Sequence, residues 1–265
     1  MIKKISLIFI FYFSLTSLSF SQKKYQPFVV DQVLSGKVSF AYDSNISLPK
    51  GEWVVKIVDN SSTFEEKGSY INTNTYNIGF FDIDKKNKIL KRYIELNFSD
   101  SRPIEIKGKG HWKMPINCTR ENFYTYERMY GGYTFNCWTI NHYRFSLSHK
   151  LNTFEKNLKE LIISENIKVP QIIIGSEHFY ASHRNGNIRH RIRYFVNPES
   201  EGIDPPVYTN WDTSEYQKIK ISQYPKKKAY MDNFVISSAN FHIEFQEGLQ
   251  MYKDEKIDFS KYLKK

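Results

Sequence analysis

Apolar and polar residues alternate along several stretches of the chain, as they do in half-buried β-strands. In residues 89–98, Leu90, Ile94, Leu96 and Phe98 fall on one face, and the positions between them are mostly polar. Because successive side chains of a strand point to opposite faces, this pattern predicts a strand with one face in the core. Similar patterns predict strands at residues 37–42, 53–58, 70–83 and 133–147, and on both sides of Asn185-Gly186.

Two stretches have helical spacing instead. Phe154, Leu158, Leu161 and Ile162 recur at i, i+4, i+7 and i+8, and Asn152 or Thr153 is available as the cap. Pro225 opens a second helical pattern that Gly248 can end, although residues 241–245 also alternate as in a strand. Residues 100–132 hold two prolines and four glycines, which predicts an irregular segment.

These elements predict an α+β fold in one domain, with an antiparallel sheet and two or more helices packed on one face. We expect residues 1–21 to be a signal peptide and residues 22–50 to be an N-terminal connecting segment. Residues 51–250 then form the single α+β domain. Residues 251–265 are expected to be a charged C-terminal tail that is loosely held.

The first residues have the composition of an export signal. Lys3 and Lys4 precede an apolar run over residues 5–18, and small residues follow before Gln22. The run is shorter than the roughly 20 apolar residues of a spanning helix, which favours a cleaved signal over a retained anchor. We therefore expect an exported protein, periplasmic or secreted, with no transmembrane segment after cleavage. Loss of the two lysines lowers the formal charge from +10 to +8, and a basic balance favours anionic partners.

Cys118 and Cys137 are the only cysteines. In an oxidising compartment, such a pair on either side of a Gly-Gly turn signal predicts a disulfide. The alternative is a metal site with His111 and His142, but those spacings match no zinc pattern. We expect neither a metal nor a cofactor.

The strand pair around Asn185-Gly186 supplies the candidate binding surface. A two-residue turn there places Tyr180 opposite Arg191 and His178 opposite Arg193. Because directly opposed residues share a face, one face would carry Arg189, Arg191, Arg193, Tyr180 and His178. No acid lies on that stretch of the face in this register. Arginine suits carboxylate and phosphate recognition, so the face predicts an anion site. The alternative is a solvated face whose charges protect a sheet edge.

Other chemical signals are weaker. Lys226–Lys228 open the second helix, where they oppose the helix dipole, and indicate a solvated basic patch or an anion contact. Ser176 and His178 are close in sequence, but we expect two positions on one strand to be unsuited to a catalytic pair. The chain carries no G-x-S-x-G, H-E-x-x-H, P-loop or G-x-G-x-x-G motif. We therefore assign no catalytic residue.

Three short segments are similar to those of a known group of proteins. They are Leu-Pro-Lys-Gly-Glu-Trp at residues 48–53, Asn136-Cys137-Trp138 with His142, and Tyr-Phe-Val-Asn-Pro-Glu at residues 194–199 followed by Gly202. Together they resemble uncharacterised exported bacterial proteins of unknown function. The resemblance implies a location in the bacterial envelope, and it implies no established activity.

The sequence thus predicts a non-enzymatic binding module. Its ligand would be an anionic glycan, a lipid head group or a protein partner, held on the basic aromatic sheet face. Nucleic acid is not expected, because no recognition motif is present. Two alternatives stay open: an envelope hydrolase whose site no linear motif reveals, and a structural or assembly factor.

Overall fold

An eight-stranded antiparallel sheet dominates the molecule. The computed structural model describes residues 28–41, 44–61, 64–66, 69–71, 75–99, 118, 120–131, 134–145, 152–182 and 188–263. The predicted signal peptide therefore lies outside the described residues. From one edge to the other, the sheet consists of β1 (Val33–Leu34), β4 (Trp53–Ser61), β7 (Thr75–Asp84), β8 (Ile89–Ser99), β12 (Ile188–Val196), β11 (Ile172–Ser182), β10 (Thr134–Arg144) and β9 (Thr125–Gly131).

Two small hairpins and three helices complete the described elements. The hairpins are β2 (Lys37–Phe40) with β3 (Ser44–Ser47), and β5 (Phe64–Glu66) with β6 (Ser69–Ile71). The helices are α1 (Thr153–Ser164), α2 (Pro225–Gly248) and α3 (Ser260–Leu263), and short 3₁₀-helices cover Pro198–Glu201, Ile221–Gln223 and Lys253–Glu255. The prediction of an antiparallel sheet with helices in one domain is confirmed. Strand β9 was not predicted, because it lies in the segment that was expected to be irregular.

Helix α1 begins where the sequence indicates. The Asn152 side chain accepts from the backbone N–H of Glu155 at 2.9 Å, and the Glu155 carboxylate accepts from the backbone N–H of Asn152 at 2.9 Å. This capping box satisfies two backbone donors that a helix start leaves without intrahelical partners. Phe154, Leu158 and Ile162 are buried as predicted.

The two long helices pack on opposite faces of the sheet. Neighbouring residues of β12 show this directly: Tyr194 contacts Phe234 and Phe241 of α2, whereas Phe195 belongs to the apolar cluster that contains Phe154 of α1. Since adjacent strand residues point to opposite sides, α1 and α2 cannot share a face. The expectation that the helices lie on one face is therefore not confirmed. A hydrophobic stripe predicts that a helix is buried, but it does not predict on which side of the sheet.

The larger core lies beneath α2. Trp53, Phe80, Leu96, Trp138 and Phe245 are all fully buried in it. Burial of each such side chain contributes on the order of 2 kcal/mol.

Residues on either side of the expected domain join the same core. Phe40 and Ile46 of the β2–β3 hairpin are buried there, and so are Ile257 and Phe259 near the C-terminus. The expectation of a loosely held tail is therefore wrong, because its apolar side chains are interspersed among the charges and face inward.

The β2–β3 hairpin contacts the end of α2 so closely that glycine is required there. A Cβ atom on Gly248 would lie 2.0 Å from the backbone carbonyl oxygen of Asn45. Such a separation is far inside van der Waals contact, and the obstacle is backbone rather than a flexible side chain. Gly248, the last residue of α2, therefore allows the close approach, while the left-handed residue that follows the helix is Gln250.

Two β-bulges alter the alternation that the sequence predicts. The register of β8 against β7 shifts between Arg92 and Leu90, which makes Lys91 an extra residue. A bulge reverses the side to which the following residues point. Leu90 consequently joins the α1 cluster, although the sequence placed it on one face with Ile94. A second shift, in β4, makes Lys56 the extra residue.

Candidate functional site

Strand β12, which carries the three arginines, pairs with β11 one residue out of the predicted register. Ser182 lies opposite Ile188 and Tyr180 opposite His190, so five residues, 183–187, connect the two strands. A two-residue turn would have placed Ser182 opposite Arg189. Because a slip of one residue exchanges the two faces of a strand, Tyr180 and His178 are on the side opposite the arginines. The predicted site of three arginines with Tyr180 and His178 is therefore not assembled.

The arginines lie on the α1 side of the sheet, where they meet acids from neighbouring strands. Arg193 is paired with Glu95 of β8, and Arg191 is paired with Glu177 of β11 at 2.8 Å. Both carboxylates are buried, while the two arginine side chains are about a fifth to a quarter exposed. We call Glu95, Arg193, Glu177 and Arg191 the charge network. The prediction of a face without acids is wrong.

Glu95 favours the ionised state of its partner Arg193. Burial opposes the charge of Arg193, but attraction and hydrogen bonding by Glu95 outweigh it and keep the pKa of Arg193 above its ordinary value. Arg189, at the end of the row, differs: burial and repulsion by Arg191 lower its pKa. Removal of one member of a buried pair leaves an uncompensated charge, which is strongly destabilising. The network is thus suited to hold strands together, and its cations are already matched by anions.

His178 and Tyr180 lie under α2 within a buried polar network. The Oγ atom of Ser176 is 2.9 Å from Nε2 of His178, and the two Nδ1 atoms of His178 and His242 are 3.0 Å apart. His242 Nε2 is 3.0 Å from Oδ1 of Asn136. We call Ser176, His178, His242 and Asn136 the histidine chain. Tyr180 donates separately to the carboxylate of Glu255 at 2.8 Å.

Backbone groups fix the direction of every hydrogen bond in the histidine chain. The Ile257 N–H donates to Gln246 Oε1 at 2.6 Å, which identifies that atom as oxygen. The Asn136 Nδ2 group donates to the same oxygen at 2.8 Å and to the Glu255 carbonyl at 2.9 Å. Asn136 Oδ1 therefore accepts, and His242 must be its donor.

The protonation of both imidazoles follows from that direction. His242 carries its proton on Nε2, so its Nδ1 accepts from Nδ1–H of His178. His178 Nε2 then accepts from the hydroxyl of Ser176. Each ring is neutral and each of its nitrogens is satisfied. Burial lowers the pKa of His242 to about 3 and lowers that of His178 well below its ordinary value.

Ser176 and His178 do meet, contrary to expectation, because alternate residues of one strand share a face. The contact has the atoms of a nucleophile and its base. However, Ser176, His178 and His242 are each at most 2% exposed, and α2 covers them. A substrate cannot reach a hydroxyl in this position, so the histidine chain joins the sheet to α2 and has no catalytic access.

The predicted disulfide is present. The Cα atoms of Cys118 and Cys137 are 5.9 Å apart, and the bond closes a loop with a sequence separation of 19. His111, proposed in the alternative metal site, lies outside the described residues. Among the residues that are described, no three His, Cys, Asp or Glu side chains are grouped so that they could hold a metal ion.

A groove of about 530 Å³ is the best candidate for a ligand site. It lies where α2, α3, the start of β9 and the segment before Ile221–Gln223 come together. Its rim carries Lys218, Lys228 and Lys261, and Asp232 is the one acid among the described residues of its lining. We call this the lysine groove. Of the sequence signals, the cluster at Lys226–Lys228 pointed to it, because Lys228 is one of the three lysines.

Two of the three rim lysines, Lys228 and Lys261, take part in ion pairs. Asp232 accepts from Tyr124 at 2.6 Å and is paired with Lys228 at 2.6 Å. Lys261 is paired with Glu127 at 2.5 Å, and this hydrogen bond raises its pKa despite slight desolvation. The lysine side chains of these two pairs are about half exposed or more, so the pairs contribute little to stability. Lys228 and Lys261 can therefore turn toward a ligand at little cost.

A second groove, of about 850 Å³, has a balanced charge. The described residues of its lining include six basic and five acidic side chains. Lys56 lies 2.8 Å from both Asp31 and Glu165, and Arg92 is paired with Asp82. Because these opposite charges are paired within the groove, little net positive charge is left to attract an anion. The lysine groove has a larger excess of basic over acidic side chains among its described residues.

Comparison with protein-family models, with curated proteins and with solved structures gave no match to this chain. The similarity to exported bacterial proteins therefore stays a prediction. Among the residues that the structure describes, no helix combines the length and apolarity that a membrane crossing requires.

Proposed function

We propose that this protein is an exported, non-enzymatic binding module that holds an anionic ligand in the lysine groove. The observation that carries the proposal is the grouping of Lys218, Lys228 and Lys261 around one cavity, whose lining contains a single acid within the part of the chain that the structure describes. The excess of positive charge in the whole chain favours the same class of ligand.

The chemistry of the rim supports anion binding in particular. Tyr124 donates to Asp232, so this carboxylate keeps a hydrogen-bond donor when Lys228 turns from it toward the ligand, which lessens its repulsion of an anion. Three ammonium groups on separate segments of the chain can surround a phosphate or carboxylate from different directions. Charge-assisted hydrogen bonds of this kind contribute about 1.5–3 kcal/mol each.

The arginine face is a poorer candidate for the same role. Arg191 and Arg193 are already paired with buried carboxylates, and a ligand would have to displace Glu177 or Glu95. The lysine pairs are more exposed and easier to rearrange.

Calorimetric titration of residues 22–265 tests the proposal. The probes are glycerol phosphate, a sugar phosphate and an acidic oligosaccharide, each beside its uncharged counterpart. Replacement of Lys218, Lys228 and Lys261 by Gln should weaken binding of the charged probes at least tenfold and flatten its salt dependence.

The matched control replaces three exposed lysines elsewhere, Lys37, Lys156 and Lys253, by Gln. It changes the net charge equally and should leave affinity within about twofold, because distant surface charges are screened by salt. Equal losses in both variants, or no binding of any charged probe, would contradict the proposal.

Export is tested separately by N-terminal sequencing of the protein recovered from cells that express residues 1–265. We expect the mature chain to begin at Gln22, after the small residues that follow the apolar run. Recovery of the chain with residues 1–21 still attached would contradict cleavage.

A further inference from the structure

The floor of the lysine groove differs in character from its rim. Ile221 and Val235 are buried side chains of the main core, and half-buried Ile236 lies beside them. Such a floor cannot form hydrogen bonds with a polyol or a second phosphate. A purely polar ligand would therefore lose water from part of its surface without gaining a polar partner.

The aromatic walls are apolar toward the cavity as well. The hydroxyl of Tyr124 donates to Asp232 at 2.6 Å, and the hydroxyl of Tyr262 donates to Glu127. Because both hydroxyls are engaged within the protein, each ring offers a ligand mainly its carbon surface. Burial, together with these carboxylates, raises the pKa of each tyrosine, so both remain protonated donors.

We propose that the ligand of the lysine groove is an anionic amphiphile, a charged head group joined to an apolar chain. Its charged head lies among Lys218, Lys228 and Lys261, and its chain lies along Ile221, Val235 and Ile236. This inference rests on the proposed function, because it names the class of anion that the same groove takes. Charge complementarity at the rim and apolar surface at the floor each account for one part of the ligand.

The groove has room for such a ligand. Its volume of about 530 Å³ is many times the roughly 30 Å³ that a water-sized group occupies in a liquid. A phosphate head and an apolar chain can therefore lie in the groove together.

A chain-length series tests the inference. Glycerol phosphate, hexyl phosphate, octyl phosphate and decyl phosphate are titrated into residues 22–265 below their micellar concentrations. Each methylene that leaves water for the groove floor should tighten binding by up to about fourfold. Octyl glucoside, which has a chain but no charge, should bind at least tenfold more weakly than octyl phosphate.

Ile236→Ser removes apolar surface from the floor without emptying the deeper core. It should reduce the gain in affinity from hexyl to decyl phosphate, while glycerol phosphate binds as it does to the unmodified protein. The control is Ile163→Ser, at an exposed isoleucine of α1 on the other face of the sheet. That variant should keep the full chain-length dependence. Circular dichroism of both variants verifies the fold.

The outcomes separate this inference from the proposed function. If all the phosphates bind with similar affinity and the lysine variant abolishes binding, the groove takes anions but the chain plays no part, and the inference is overturned. If octyl glucoside equals octyl phosphate, the lysines contribute nothing and both proposals are overturned. Binding of none of the probes would likewise overturn both.

Discussion

Lowering the pH should destabilise this protein well before its carboxylates titrate, because four histidines are buried in neutral form. Burial lowers the pKa of His142 to about 4 and those of His190 and His242 to about 3, from the ordinary 6.5. His178 is lowered well below the ordinary value, by burial and by its neighbour His242. The unfolded chain therefore binds protons more readily than the folded chain as soon as the pH falls below about 6.5.

The size of the effect follows from linkage. A group whose pKa is depressed on folding contributes its full stability above the unfolded pKa and loses it as the pH falls toward the folded value. Each histidine should lose about 2 kcal/mol between pH 8 and pH 5, and the four together about 8 kcal/mol. Native domains are stable by only about 5–15 kcal/mol, so a large part of the total would be lost.

Urea unfolding followed by tryptophan fluorescence, repeated at half-unit steps between pH 8 and pH 5, measures this loss. The matched variant is His190→Leu, because Nδ1 of His190 has no hydrogen-bond partner among the described residues and the ring packs edge-on against Phe40. It should reduce the loss between pH 8 and pH 5 by about a quarter. A free energy of unfolding at pH 5 within about 1 kcal/mol of that at pH 8 would refute the reasoning.

Three further predictions concern stability and use the same unfolding assay at pH 8. Replacing both Cys118 and Cys137 by Ser should lower the free energy of unfolding by about 3 kcal/mol, because the loop between them is no longer closed in the unfolded chain; an unchanged midpoint would contradict this. Arg193→Met should lower the free energy of unfolding by about 3–5 kcal/mol, because it leaves Glu95 buried without its cation. Adding Glu95→Gln should restore part of that free energy. If it restores none, the loss does not come from the ion pair. Gly248→Ala should lower the free energy of unfolding by about 1–3 kcal/mol, because the new methyl group meets a backbone carbonyl of β3. A variant more stable than the unmodified protein would contradict this close approach.

Local signals in the sequence were sufficient for most individual elements. Asn152 with Glu155 three residues later defines the start of α1, and Pro225 and Gly248 bound α2. The disulfide also followed from the sequence, because two cysteines have one possible pairing. In each case the residues that decide the outcome lie close together or have no competing partner.

The candidate site was harder to predict because it depends on contacts between distant segments. The arginine face was misassigned through one assumption, a two-residue turn, and the observed register exchanges both faces. The partner of Arg193 is Glu95, which is 98 residues away and has no local signature. The lysine groove combines residues from four segments, and the cluster around Lys228 was its one local sign.

The contacts of Glu255 have a consequence for the order in which the molecule can assemble. This buried carboxylate accepts from Thr134, 121 residues earlier, and from Tyr180, 75 residues earlier. A chain that stopped at residue 250 would leave these hydroxyls and the amide of Asn136 facing an incomplete interior. Contacts of such large sequence separation form slowly, because the entropy of closing a long loop is lost before the contact stabilises the chain. We therefore expect the space between the sheet and α2 to stay incompletely packed until residues 251–259 have been synthesised. The part of the chain that is made last then completes the core.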